Sequence, residues 1–348
     1  MSRLDSQMTG RERVEALLRG EEPDRLPFMP ITMMRAAQHI GVRYRDYVTD
    51  YRVLAEAQVR IAEAFGIDHV SVISDPAREV SDLGGAVEWF DDQPPAVIEE
   101  RALLADKTRF RDLRLPDSHS SPRMSDRVEG VRLLRRRAGG ERIVEGWVEG
   151  PCAMSADLRG VNRLMLDFFD DADFVRELFA FSVEMELATA RAQVEAGADL
   201  IGVGDAAASL VGPQFYMDFV LPEERRLIDG IRHLGACVRL HICGRTRKLY
   251  RGMVQTGAEI IDLDSLAPLR EARDEMGPGQ ILLGNVDPVR IVRDGTPESV
   301  IAAFAECHRD AGPRYIVGAG CEIPPGTPDA NLDAAGGYAR GSHTIERK

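Results

Sequence analysis

The chain has 348 residues, 44% of them hydrophobic, and a formal net charge of −13, which is enough material for a large core or for two domains. An acidic balance argues against general nucleic-acid binding, which needs a basic face, and points to a small molecule or a protein as partner. No run reaches the roughly 18 apolar residues of a membrane span, and the polar stretch from Met1 to Arg13 lacks the apolar region of a secretory signal. A cytoplasmic protein is the expectation.

In chain order, the first helix is expected over Thr9–Gly20, where Val14, Leu17 and Leu18 give an apolar face. Pro23 and Pro27 break the chain before an expected strand from Phe28 to Met33. A helix follows over Tyr51–Phe65, closed by Gly66, and then a strand over His69–Ser74. Gly84–Pro95, with a short strand at Val87–Phe90, reads as an excursion, and Pro116–Arg127 as a loop. The run Arg135, Arg136, Arg137 reads as a solvated helix end.

From Ile143 the pattern is regular. Strands are expected at Ile143–Val148, Asp199–Asp205, Cys237–Cys243, Glu259–Asp264, Gln280–Asn285 and Tyr315–Gly320. The intervening helices are read at Asp157–Phe169, Asp171–Ala196, Pro213–Leu234, Arg247–Thr256, Ala267–Met276 and Pro297–Ala311, with a last one at Asp329–Tyr338. Near-continuous apolar strands separated by helices imply a parallel sheet covered on both faces. With this many units and no dinucleotide fingerprint, the α/β class resolves to a single (β/α)8 TIM barrel with N-terminal helical and loop excursions. It is one domain over 1–348, with 1–25 as a helical extension. A doubly wound open sheet is the alternative.

In a barrel, chemistry gathers at the C-terminal ends of the strands. Those ends carry Glu149, Asp205, His241 with Cys243, Asp262 with Asp264, Asn285 with Asp287, and Cys321 with Glu322. His241 and Cys243 lie two apart on one strand and project together. A lone His-x-Cys is more often core, but Cys321 at the end of another strand completes a candidate zinc site of one His and two Cys with an open fourth position. Asp205 stands among small residues, Ala206–Ser209, that leave room for a ligand, whereas helix capping suits Asp264. Glu149, Asp205 and Asn285 are the candidate catalytic residues. Cys237 and Cys307 read as packing, and the five scattered cysteines do not form a disulfide framework.

Two thiolates make zinc electron-rich, able to bind a further thiol as thiolate or to polarise an ether oxygen. Both are methyl-transfer roles, whereas hydrolysis suits soft ligands less well.

His241-x-Cys243 with Cys321 in Gly-Cys-Glu-Ile-Pro-Pro-Gly-Thr-Pro resembles the zinc signature of the corrinoid methyltransferase branch of the uroporphyrinogen decarboxylase superfamily. Pro23-Asp-Arg-x-Pro27, Gly150-Pro151, Gly212-Pro-x-Phe-Tyr216, Phe219-Val-Leu-Pro222 and Gly284-Asn-Val-Asp-Pro288 match the superfamily more broadly. The resemblance implies a (β/α)8 barrel holding Zn2+ on His241, Cys243 and Cys321, with Asp205 or Glu322 as an exchangeable fourth ligand. It also implies a separate corrinoid protein that docks its methylcobalamin over the barrel mouth, since nothing in this chain resembles a corrinoid-binding domain. The expected function is methyl transfer between that corrinoid and a small thiol or a methoxylated or methylated substrate. The alternative is porphyrinogen decarboxylation. Decarboxylases of the superfamily carry Met-Arg-Gln-Ala-Gly-Arg, and this chain has Met34-Arg-Ala-Ala-Gln-His39, keeping one arginine and lacking the second. A third reading is a barrel that binds a ligand or a corrinoid protein without catalysis.

Overall fold

A computed structural model describes residues 7–341. Seven strands form one parallel sheet: β1 (His69–Ser71), β2 (Ile143–Glu149), β3 (Leu200–Gly204), β4 (Cys237–Ile242), β5 (Ile260–Leu263), β6 (Ile281–Leu283) and β7 (Tyr315–Ile316). Each pairs with the next in chain order. A doubly wound sheet needs a reversal of strand order, and there is none here. The segment at 27–29 bonds to both outer strands. The Asp68 N–H donates to the Phe28 carbonyl, the Met29 N–H to Val317, and the Val317 N–H to Pro27. Phe28 is therefore a single parallel bridge to Val317, and residues Met33–His39, where the expected strand was to end, begin a helix.

Local chemistry explains where the helices start and stop. Thr9 caps Gly10–Leu18 in a reciprocal capping box with Glu12. Tyr51–Phe65 starts on the Asp50 side chain and ends at Gly66, whose φ of 68° only glycine adopts without strain. Pro297–Ala311, capped by Thr296, matches the expected span. Elsewhere the punctuation was misread. Pro122 occupies the first turn of a helix, Pro122–Ala138, so half of the expected loop is helical. Gly160, at φ 87°, divides the region expected as one helix into Pro151–Arg159 and Val161–Asp170. The expected helix over Pro213–Leu234 runs through a π-helical turn at Tyr216–Val220 before Leu221–His233. Val87–Glu88 pairs antiparallel with Ala96–Val97, a small excursion outside the main sheet.

The sheet and its helices bury one large apolar cluster that runs from Leu26 to Ala339. No described helix is long and apolar enough to cross a membrane. The basic run at Arg135–Arg137 closes the helix Pro122–Ala138, where cations complement the carbonyl end.

Candidate metal centre

His241 sits near the end of β4, in register with Asp262 on β5. Its Nδ1 lies 3.1 Å from the Asp262 carboxylate. With the Nδ1 proton given to Asp262, Nε2 is left free to bind a metal. Asp262 is gripped in turn by Arg239, whose Nη2 is 2.7 Å away, and Arg239 reaches Glu145 at 3.3 Å. All four side chains are buried. Burial would raise the Asp262 carboxyl, but Arg239 and His241 outweigh it and hold it below the usual carboxylate range. Burial likewise disfavours the charged imidazole, yet Asp262 and Cys243 lift His241 well above its ordinary value. A charged lane inside the sheet thus ends at the His241 ring.

The two thiols arrive on loops. Cys243 leaves β4 just before Gly244, whose N–H donates to Asp264 Oδ2 at 2.8 Å. Asp264 Oδ1 accepts from the Leu266 N–H at 2.8 Å, so this residue ties two strand exits together rather than holding a ligand. Cys321 follows Gly320, where an added Cβ would lie 2.2 Å from the Ser265 nitrogen, so only glycine lets the loop pass that close. The Cys243 and Cys321 sulfurs are 4.0 Å apart, and His241 Nε2 is 3.1 Å from the Cys243 sulfur. The three donor atoms all lie within 4.8 Å of one another. A tetrahedral ion with metal–sulfur bonds of about 2.3 Å would place two sulfurs roughly 3.8 Å apart. The triangle is the right size for such an ion. The two thiols titrate as a pair: the contact with Cys243 draws the Cys321 thiol down to about 4, and the contact with Cys321 pushes the Cys243 thiol up. A resident thiolate is the form that binds metal.

Beside the triangle lies a cavity of about 200 Å³ lined by His241, Cys243 and Cys321, by Glu149 and Glu322, and by an apolar wall that includes Trp147. Glu149, at the end of β2, lies 3.4 Å from Arg78. Burial lifts the Glu149 carboxyl well above the usual range, only partly offset by Arg78 and reinforced by Glu79. Glu322 accepts the Met34 N–H at 2.6 Å.

The other strand-end candidates are engaged elsewhere. Asp205 is fully buried and accepts the Cys152 and Ala153 N–H groups, at 3.3 and 2.6 Å, at the start of the helix Pro151–Arg159. The flanking Gly204 and Ala206 line the cavity, and Asp205 does not. The Asn285 amide donates to the Asp264 and Ala267 carbonyls, binding two loops together outside the cavity. Asp287 caps the turn that follows it. Arg35 is paired with the Thr327 carbonyl and with Asp329, also outside the cavity. Cys237 sits at the opposite end of β4 against an apolar cluster, and Cys307 touches Asn285 Oδ1. Sequence reasoning missed the orienting role of Asp262, although its place opposite His241 follows once the strands are in register. It also missed Asp75, which lines the cavity, although Asp75-Pro76 ends an apolar run as the other site residues do.

A parallel α/β sheet that gathers an imidazole and two thiols at the C-terminal ends of its strands has the layout of a metal-dependent enzyme. Residues 9–340 match the family model described as Uroporphyrinogen decarboxylase (URO-D), and the chain belongs to that family. Methylcobamide:CoM methyltransferase MtbA of Methanosarcina mazei is 30% identical over 338 residues, covering 94% of this chain and 96% of that protein. Uroporphyrinogen decarboxylase of Synechococcus sp. is 26% identical over 337 residues, covering 91% and 94%. A solved structure of a methyltransferase from Methanosarcina mazei superposes with a TM-score of 0.84 at 21% identity, covering 97% of this chain and 99% of that one, which supports the fold.

Proposed function

We propose that this protein is a zinc-dependent methyltransferase, moving a methyl group between the corrinoid of a separate protein and a small thiol or methoxylated or methylated substrate. The observation that carries the reading is the convergence of His241 Nε2 with the Cys243 and Cys321 sulfurs into a triangle of tetrahedral size beside a cavity. The MtbA relative, matched over nearly its whole length, supports it. The contacts of residues 27–29 with both outer strands support an eighth strand and a closed (β/α)8 barrel, one domain with residues 1–25 as its extension. Reduced thiols fit a cytoplasmic location.

Zinc held there would keep an incoming thiol as thiolate or draw electrons from an ether oxygen. Asp262 keeps the His241 ring turned toward the ion. The corrinoid would supply the methyl group and keep its bonding pair, so a thiol acceptor would exchange its S–H bond for an S–CH3 bond and give up a proton. With an ether donor the methyl moves the other way and the released oxygen takes a proton. Glu149, one of three acids that line the cavity, would exchange that proton. Glu322, beside Cys321 and lining the cavity, suits the exchangeable fourth position better than Asp205, whose oxygens are committed to a helix start. Asp205 and Asn285 then act by fixing the loops that carry the site.

Porphyrinogen decarboxylation is the weaker reading. Arg35, the arginine retained from the decarboxylase segment, faces Asp329 instead of the cavity. The test is elemental analysis of the protein and of Cys321→Ser, followed by spectrophotometry of methylcobalamin mixed with thiols. About one zinc per chain, lost in the variant, with methylcobalamin consumed only by the metal-loaded protein, is the expected result. Metal-free reduced protein that converts a porphyrinogen would overturn it. Zinc binding with activity unchanged in Cys243→Ala would instead favour the non-catalytic reading.

A further inference from the structure

The cavity beside the donor triangle contains acids and no bases. Apart from the three donors, its ionisable side chains are Asp75, Glu149 and Glu322, and among the described residues no lysine or arginine lines it. Each acid already has a partner. Glu149 lies 3.4 Å from Arg78, Asp75 lies 2.7 Å from Arg123, and Glu322 accepts the Met34 N–H. Arg78 also meets Glu79 at 3.3 Å and Arg123 the Val48 carbonyl at 3.1 Å, and the guanidinium nitrogens of both that lack a partner are buried away from the cavity. The rest of the wall is Ile31, Met33, Ile73 and Trp147 with small residues. Apart from the donor set itself, an anion entering this space would lose its water and meet carboxyls and no lysine or arginine.

Resting on the methyl-transfer reading, we infer that the substrate exchanging its methyl group here carries no anionic group beyond the reacting atom. It is a thiol or methyl ether without a sulfonate or carboxylate tail. The ion and the shared thiolates fix the chemistry, and the apolar wall selects the tail.

The experiment compares matched probes with the zinc-loaded protein: mercaptoethanol against mercaptoethanesulfonate as acceptors from methylcobalamin, and anisole against methoxybenzoate as donors to reduced cobalamin. In whichever set turns over, the uncharged member is expected to lead the anionic one by about 30-fold or more in kcat/KM, the scale of a polar group buried without a partner. Calorimetric binding of that set to the same protein should follow the same order. Met33→Arg, which puts a cation on the wall, should narrow the gap for the anionic member. An anionic member equal to or better than the neutral one in the wild type overturns the inference and leaves methyl transfer standing. Turnover in neither set removes the methyl-transfer reading itself, and the inference with it.

Discussion

The His241 ring is held at Nδ1 by Asp262, 3.1 Å away, and that contact decides which nitrogen faces the cysteines. Asp262→Asn keeps the size but loses the charge, so zinc affinity should fall by about 10–100-fold with the fold intact, read by competition with a chromophoric chelator. Glu149→Gln should leave zinc content unchanged while lowering kcat by about 10²–10⁴-fold and removing one limb of the pH profile, as measured over a series of buffers. If zinc content fell instead, Glu149 would belong to the ligand set. Single residues were unevenly legible. His241, Cys243 and Cys321 could be read from type and spacing because soft donors at strand ends have few other uses. Asp205 could not, because its orientation depends on the helix Pro151–Arg159 that starts against it. Gly150 marks this closeness: an added Cβ would lie 2.4 Å from the Asp205 side chain.

Among the elements, β2 and β3 together seat the tryptophan of the apolar wall. Trp147 is in register with Gly202, where an added Cβ would come within 2.1 Å of the indole, and Gly204 continues the slot along the ring. Gly202→Ala should destabilise by about 1–3 kcal/mol, measured by the denaturant midpoint, and quench or shift Trp fluorescence as the ring is displaced. An unchanged midpoint would mean that the strands part more easily than their packing suggests. Strand positions were readable because continuous apolar runs bounded by glycine have few other meanings, and the long helices because their apolar faces repeat. The misread elements share a cause. Pro122 and Gly160 act on backbone angles, and whether proline begins a helix or ends a loop depends on what the chain packs against.

At the scale of the molecule, buried acids accumulate behind the cavity. Glu186 is fully buried, and burial together with the Glu79 and Glu149 carboxylates raises it well above its ordinary value of 4.5. The folded state therefore holds a proton that the unfolded state releases, so stability present below that ordinary value is lost as pH rises past it. Glu186→Gln should flatten the fall in Tm between about pH 5 and pH 8, followed by calorimetry. A steeper fall in the variant would show that a partner stabilises the charged form.

The sequence by itself determined the alternation of strand and helix, the three soft donors and the chemistry they favour, because hydrophobic period and ligand type are local properties. Only the tertiary structure decided which acids face the cavity, that Asp262 orients His241, and that among the described residues no lysine or arginine lines it. Those depend on register between strands and on side chains brought together from distant parts of the chain, where one residue of slip would turn each to the opposite face.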